Sequence, residues 1–569
     1  MLDTLPQTFD QVKDWTWEEL EPLYAELQSR ELNADNIDGW MRDWTALDNV
    51  VSEIFSRSRV ATTQDTSDEE AESIYKNLLA TLYPKLEAAQ NDLNTKLLDS
   101  GLTPDNMELP LKRMRTDVDL YRDENIALKQ REQVLGMEFN KLVGPLTVEW
   151  EGEELTLPQI SKIQRDQDRD VRERAWRASM NAYLSVRQPA NDIWTKLFDV
   201  RTQLATNTGF DNYRDYIWQA RHRFDYTPED CITFHNAIEQ VVVPAARKRN
   251  EVRRKKLGLD KLRPWDLSVD PEGRAPINVW DTIDDFAGKA ETIFNSVDPQ
   301  LGEYYLNLRK GELLDLPNRK NKGVGAYCTQ FPMTATPFVF MNAVNLRDDV
   351  RTLLHEVGHA FHGFETYTLP YAHQRDYPIE FAEVASMSME LLAAPYLTQE
   401  RGGYFTREDA ARDRIEHLEK ILFFWPYMSV VDAFQHWAYT SGDAAADPAN
   451  CDAKWSELWS RFMVAADYTG LQDVKETGWH RKHHIFRYPF YYVEYGLAQL
   501  GAVQVWANAL KDQAGAVASY RSGLALGGTR NLHELFGATG AKFAFDAETL
   551  GEAVDLIVRT IDELEGDLG

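Results

Sequence analysis

The chain has 569 residues, 43% of them hydrophobic, with 16 Trp, 24 Tyr and 25 Phe; this is ample material for large cores and speaks against disorder. Its 62 basic residues are outnumbered by 91 acidic ones, giving a net charge of −29. That balance argues against a nucleic-acid interface, which needs clustered Lys and Arg, and against binding to an anionic membrane surface.

The first 140 residues read as helices. Trp15 to Ser29 and Ile37 to Ser56 carry apolar residues at spacings of three and four. Asp68, Glu69 and Glu70, after Thr66 and Ser67, mark a helix start with acids at the positive end of the dipole. Leu146 to Leu157, LTVEWEGEELTL, places β-formers on both sides of Gly152 and predicts a hairpin. Helical patterns return from Gln159 to Glu251. Lys261 to Asn278, with Pro264, Pro271, Gly273 and Pro276, has no period and reads as a break. Helix resumes from Trp280 to Asn295. Lys320 to Asn345 is the one sustained β-like stretch, with runs at Ala326 to Gln330 and Pro337 to Val344 that predict a hairpin or two edge strands. After Arg347 the chain is again mostly helical.

Cys231, Cys328 and Cys451 are odd in number and widely spaced. They form no disulfide framework, and the expectation is a reducing cytoplasm. Met1 to Asp10 lacks the apolar core of a secretion signal, and no run of about 18 apolar residues suggests a membrane span.

The chemistry concentrates at His355-Glu356-Val357-Gly358-His359, an H-E-x-x-H pattern. Val350, Leu353, Leu354, Val357 and Phe361 make a helical apolar stripe, which leaves His355 and His359 one turn apart on another face. Two imidazoles at i and i+4 can converge on one zinc ion. Glu356, about 100° round the helix, is placed to take a proton from an attacking water and hand it to a leaving amine. Hydrolytic zinc sites need a third protein ligand. His362 at i+7 lies about 10.5 Å along the axis from His355, which strains convergence of all three. His362 and Glu365 also break the long-spacer metzincin pattern. The segment PIEFAEVASMSMELL, opened by Pro378, is the next source: Glu380, Glu383 and Glu390 share one helical face, and spacing does not choose among them.

HEVGHAFH followed by EFAEVASMSMELL resembles the thimet oligopeptidase and oligoendopeptidase F family of zinc peptidases, in particular its oligoendopeptidase F and Pz-peptidase branch. The resemblance is strongest from Gly323 to Gly501. It makes Glu383 the third ligand, beside His355 and His359, for one Zn2+ per chain. It makes Glu390 the acid that holds a ligand histidine by its outer nitrogen. Met387 stands where the family often has a Gln-like residue. A second segment, HHIFRYPFYYVEYGLAQL, matches the family's His followed by three tyrosines with His483, Tyr488, Tyr492 and Tyr495. His484 is an adjacent alternative that only spacing sets aside. Pro489 can start a helix that puts the three tyrosines on one wall, and four phenols in eight residues suit a polar cleft better than a core. The resemblance gives this group substrate binding and oxyanion stabilisation, with Tyr492 and Tyr495 the favoured donors and His483 and Tyr488 on the substrate backbone.

The resemblance implies a mostly α, two-lobed zincin-type fold with a deep central channel and a small β-sheet beside the active-site helix. The expected division is an N-terminal helical lobe, residues 1–200, and a catalytic lobe, residues 201–569, with its β region near 320–345. Pro337 to Val344 is expected at the sheet edge above the metal, where an extended peptide can add by backbone hydrogen bonds. The implied activity is endopeptidase cleavage of short unstructured peptides. A dipeptidyl carboxypeptidase-type exopeptidase and a catalytically silent peptide-binding protein are the alternatives. The first needs a cation for the terminal carboxylate, and the second a broken motif.

Overall fold

The computed structural model describes residues 5–274, 277 and 279–568. The expected break ends at Pro276 and Asn278, and the N-terminal stretch begins at Met1 to Thr4; these lie outside the described residues. The fold is mostly α-helical, with a two-stranded and a three-stranded sheet. Among the described residues no helix is long and apolar enough to cross a membrane.

Helices stand where the apolar period predicts them. Trp17–Ser29 begins with a capping box, in which the Thr16 hydroxyl accepts from Glu18 N while Glu19 accepts from Thr16 N. Ile37–Gln64 runs two turns beyond its predicted end. Glu69–Asn77 is capped by Asp68, which accepts from Ala71 N. The first hairpin pairs β1 (Thr147–Trp150) with β2 (Glu153–Thr156) through Glu151 and Gly152, both left-handed, at φ 53° and 89°. A two-residue turn of that kind matches the twist of the strands, and glycine adopts it without cost.

The second sheet departs from expectation. β4 (Tyr327–Phe331) and β5 (Thr336–Ala343) form the predicted hairpin, but β3 (Leu314–Pro317) pairs in parallel on the other side of β5. The order is β3-β5-β4, so Pro337 to Val344 supplies the central strand and not an edge. The cause lies in β3, whose four residues LDLP are too short and too proline-marked to read as a strand. β5 is correspondingly apolar on both faces, with Val339, Phe340 and Met341 buried. The edge on the other side is β4.

Two apolar cores frame the site. One core draws on Leu5 to Met114 together with Tyr371; the larger one runs from Leu135 to Ile561. Helix Arg187–Asn207 is embedded in the larger core, because the buried Arg201 donates to Tyr439 Oη and to the Ile485 and Phe486 carbonyls. The smaller core braces the site. Buried Glu53 accepts from Met333 N in the β4–β5 turn at 3.0 Å, and Arg113 donates to the Gly528 carbonyl at 3.1 Å and to that of Asp376.

Candidate active site

Four helices build the site: a motif helix (Arg347–Thr366), an acidic helix (Ile379–Ala393), a long helix (Arg407–Thr440) and a tyrosine helix (Tyr492–Ala509). The motif helix starts where Asp349 accepts from Val344 N and Leu346 N, both at 2.8 Å. Its stripe of Val350, Leu353, Leu354, Val357 and Phe361 is buried as predicted, each side chain contributing about 1.5–3 kcal/mol. Gly358 lets the acidic helix cross in contact. A Cβ there would stand 2.6 Å from Ser386 Cα and 3.0 Å from the Ala385 carbonyl oxygen. That close crossing brings Glu383 to the two histidines.

His355 Nε2 and His359 Nε2 lie 3.4 and 3.8 Å from the same oxygen, Glu383 Oε2. One donor atom from each of the three residues lies within 4.8 Å of the other two. The outer nitrogen of His355 is held: Nδ1 is 2.8 Å from Glu390 Oε1. Glu390 is gripped from its other oxygen by His417 Nε2, at 3.0 Å, on the long helix. Burial raises the Glu383 carboxyl, but His355, His359 and Ser386 outweigh it and hold the group below its usual range. Burial disfavours charge on His355, yet Glu383 and Glu390 raise it well above its ordinary value. Two nitrogens and a carboxylate on one point, with the outer nitrogen of His355 tied back, fit a divalent zinc ion.

The remaining candidates separate by partner. Glu380 accepts from Tyr226 Oη at 2.7 Å and lies 3.9 Å from Arg223, turned away from the histidines. His362 is fully buried, stacked 3.5 Å from the Tyr377 ring, with neither nitrogen hydrogen-bonded; it is a packing residue. Glu356 is buried on the motif helix near Cys328 of β4, and is pushed up to about 7, chiefly by burial.

The second segment is arranged differently from its predicted helix. His483–Arg487 is a short helix that ends at Tyr488. Phe490 is left-handed, at φ 62°, and the tyrosine helix starts only at Tyr492. Pro489 thus sits in a loop, and Tyr488 stands outside the helix, 41% exposed. His484, rather than His483, is the histidine among the tyrosines. Its ring lies 5.0 Å from Tyr492, 5.9 Å from Tyr491 and 6.2 Å from both Tyr488 and Tyr495. His483 meets His484 and Tyr488. The Tyr491 ring, one turn before Tyr495, lies 5.2 Å from it, and both phenols are raised first by burial and next by the charge of Glu383. Tyr492 points elsewhere, towards Tyr427 and under Lys482, whose Nζ is 3.9 Å from its ring centre. Tyr491 and His417 escaped the sequence reading. Tyr491 sits beside Tyr492 in a run where only helical phase separates them, and His417 carries no local signal.

Comparison with known proteins places the chain in a family. Residues 163–277 and 300–553 match Peptidase family M3. An oligoendopeptidase F homolog of Mycoplasma pneumoniae is 29% identical over 262 residues, 43% of this chain and 40% of the relative, so the match spans about two fifths of that relative's length. Oligopeptidase PepF of Bacillus subtilis is 22% identical over 474 residues, 79% of this chain and 68% of the relative. A solved PZ peptidase A with an inhibitor superposes with a TM-score of 0.86 at 26% identity, covering 99% of each chain. With the family matched across both the motif helix and the tyrosine segment, the chain belongs to peptidase family M3.

Proposed function

We propose that the protein is a zinc metallo-endopeptidase that cleaves internal bonds of short, unstructured oligopeptides. The observation that carries this reading is the convergence of His355 Nε2 and His359 Nε2 on Glu383 Oε2, beside the desolvated carboxyl of Glu356. His355, His359 and Glu383 would hold one zinc ion, which supplies Lewis-acid polarisation of the scissile carbonyl and makes a nearby water more acidic.

The protein's own groups do the rest. Glu356, with its proton affinity lifted by burial, accepts a proton from the attacking water. The water oxygen bonds to the carbonyl carbon. As the C–N bond breaks, the same carboxyl delivers the proton to the leaving amine. Tyr491 and Tyr495, the two phenols that feel Glu383, donate to the carbonyl oxygen as it gains charge. His484 positions that pair, and Tyr488 and His483 contact the substrate backbone. The free edge of β4, adjoining Glu356 through Cys328, is where an extended peptide adds as a further strand. The three free cysteines suit a reducing compartment.

Digestion of a short-peptide library with and without a chelator, read by mass spectrometry, tests the assignment. Chelator-sensitive internal cuts are expected. Release of C-terminal dipeptides alone would replace it with an exopeptidase, and binding without cleavage in the metal-loaded protein would replace it with a peptide-binding module.

A further inference from the structure

A second group of metal-ligand side chains lies in the core, under the loop that carries the tyrosines. Helix Pro228–Ala237 presents Cys231 and His235 one turn apart, and the long helix presents Asp432 and His436 one turn apart. All four are buried, Cys231 and Asp432 completely. One donor atom from each of Cys231, Asp432 and His436 lies within 4.8 Å of the other two. His235 Nε2 is bonded to Asp432 Oδ2 at 2.8 Å. His436 Nε2 is 3.2 Å from that oxygen but off the line of a hydrogen bond, and neither of its ring nitrogens has a hydrogen-bond partner. Asp432 Oδ1 has none either. Phe490, the left-handed residue before Tyr491, rests its ring 5.2 Å from His436.

These features are costly in a core made only of protein. A buried polar atom without a partner carries its full desolvation penalty, and a charged one more. Among the described residues, the ion-pair partners of Asp432 are the two imidazoles alone. A divalent cation removes the difficulty. With Cys231 as thiolate, Asp432 as carboxylate and His436 neutral, two negative charges balance the ion and the site is electroneutral, as a low-dielectric interior requires. The orphaned atoms become the ligands, and His235 keeps the oxygen it already holds, which leaves Oδ1 free for the metal. Sulfur, nitrogen and oxygen together are a zinc donor set, and pairs at i and i+4 on two packed helices can converge as they do in the catalytic motif.

We propose that Cys231, Asp432 and His436 supply three protein donors to a second zinc ion, with His235 orienting the carboxylate. Binding forms the metal–sulfur bond and releases the Cys231 thiol proton to solvent. The ion ties helix Pro228–Ala237 to the long helix and supports the floor beneath Phe490.

The test is to express the full chain in cobalt-supplemented medium and to measure metal content and the near-ultraviolet spectrum. The catalytic ligands include no cysteine, so a thiolate-to-cobalt charge-transfer band reports this site alone. Two metal equivalents and the band are expected. His359→Ala should lose one equivalent and keep the band. Cys231→Ser should lose the band and one equivalent while keeping the other, and His436→Gln should do the same. A folded wild-type chain with one equivalent and no band overturns the proposal without any variant. So does a second equivalent that persists, band included, in folded Cys231→Ser. Neither result touches the catalytic assignment, which the His359→Ala count reads separately.

Discussion

His355 Nδ1 is bound to Glu390 Oε1 at 2.8 Å, and Glu390 is held in turn by His417 at 3.0 Å. This chain runs from the motif helix through the acidic helix to the long helix. It keeps the Nδ1 hydrogen on the Glu390 side, so that Nε2, which faces Glu383, is the nitrogen that would bind a metal. Glu390→Gln keeps the size but weakens the acceptor. The expected outcome is zinc affinity lower by about 10–100-fold with the helical fold retained, measured by competition with a chromophoric chelator. His417→Ala should move affinity in the same direction by a smaller factor, because it acts one bond further out. Unchanged affinity in both variants would remove the relay from the site.

The three carboxylates of the acidic helix have three different occupations, and metal analysis can separate them. Glu383→Ala should lose the catalytic equivalent. Glu380→Ala should retain it, because Glu380 is committed to Tyr226 and Arg223. That variant should instead lose thermal stability, since it leaves Arg223 buried without one of its anions. Loss of metal in Glu380→Ala with metal retained in Glu383→Ala would reverse the assignment.

Glu356 touches neither histidine's metal-facing nitrogen, so its removal separates chemistry from binding. Glu356→Gln should fold, bind zinc and bind peptide. Turnover should fall by the ~10²–10⁴-fold that general acid–base catalysis contributes. Near-normal kcat in the metal-loaded variant is the result that rejects Glu356 as the base.

How far this site can be read from the chain depends on how local each signal is. The histidine pair is local: two histidines at i and i+4 above an apolar stripe need no partner to be recognised. The proposed third ligand is not. Glu380, Glu383 and Glu390 share a helical face, and what separates them is Tyr226 and Arg223 on one side and His417 on the other, all distant in sequence. The resemblance to a known family supplied Glu383 where spacing was silent. The same limit misplaced β5 at the edge, because β3 is a four-residue strand that exists only through its pairing. It also placed Tyr488 on a helix, because Phe490 takes a left-handed conformation that no residue type announces.

Gly358 is the x of the motif with the least freedom. Its helical conformation would accept alanine, which by propensity alone gains about 1 kcal/mol. Its surroundings would not: the added Cβ meets Ser386 Cα at 2.6 Å and the Ala385 carbonyl at 3.0 Å, and both are backbone. Ala385 is also held by Tyr520 Oη at 2.8 Å, so the acidic helix cannot give way easily. Overpacking of this kind costs about 1–3 kcal/mol, which exceeds the propensity gain. Gly358→Ala should lower the thermal midpoint and weaken zinc binding together, since the displaced helix carries Glu383. A stabilised variant with normal zinc affinity would show that the crossing has slack.

The tyrosine segment gives the sharpest division. The Tyr491 and Tyr495 rings lie 5.2 Å apart and feel the charge of Glu383, whereas Tyr492 lies against Tyr427 and Lys482. If the phenol nearest the metal carboxylate donates to the developing oxyanion, the effect of deleting one hydroxyl must follow that geometry. Tyr→Phe keeps the ring and its packing, so stability controls for the rest. Tyr495→Phe and Tyr491→Phe are expected to lose kcat, at least one of them by the ~10²–10³-fold typical of an oxyanion donor, with KM and zinc content little changed. Tyr492→Phe should keep kcat within a few-fold. The neighbouring histidines divide in the same way: His484→Ala, which removes the ring that touches all four tyrosines, should cost more kcat than His483→Ala. The measurement is kcat and KM on one short peptide for all five variants, beside zinc content and thermal midpoint. A large kcat loss in Tyr492→Phe with Tyr491→Phe and Tyr495→Phe unaffected would move the donor to the face that packs on Lys482. Equal and small effects in all three would leave the tyrosines as a packed stripe, with the oxyanion stabilised by the metal alone.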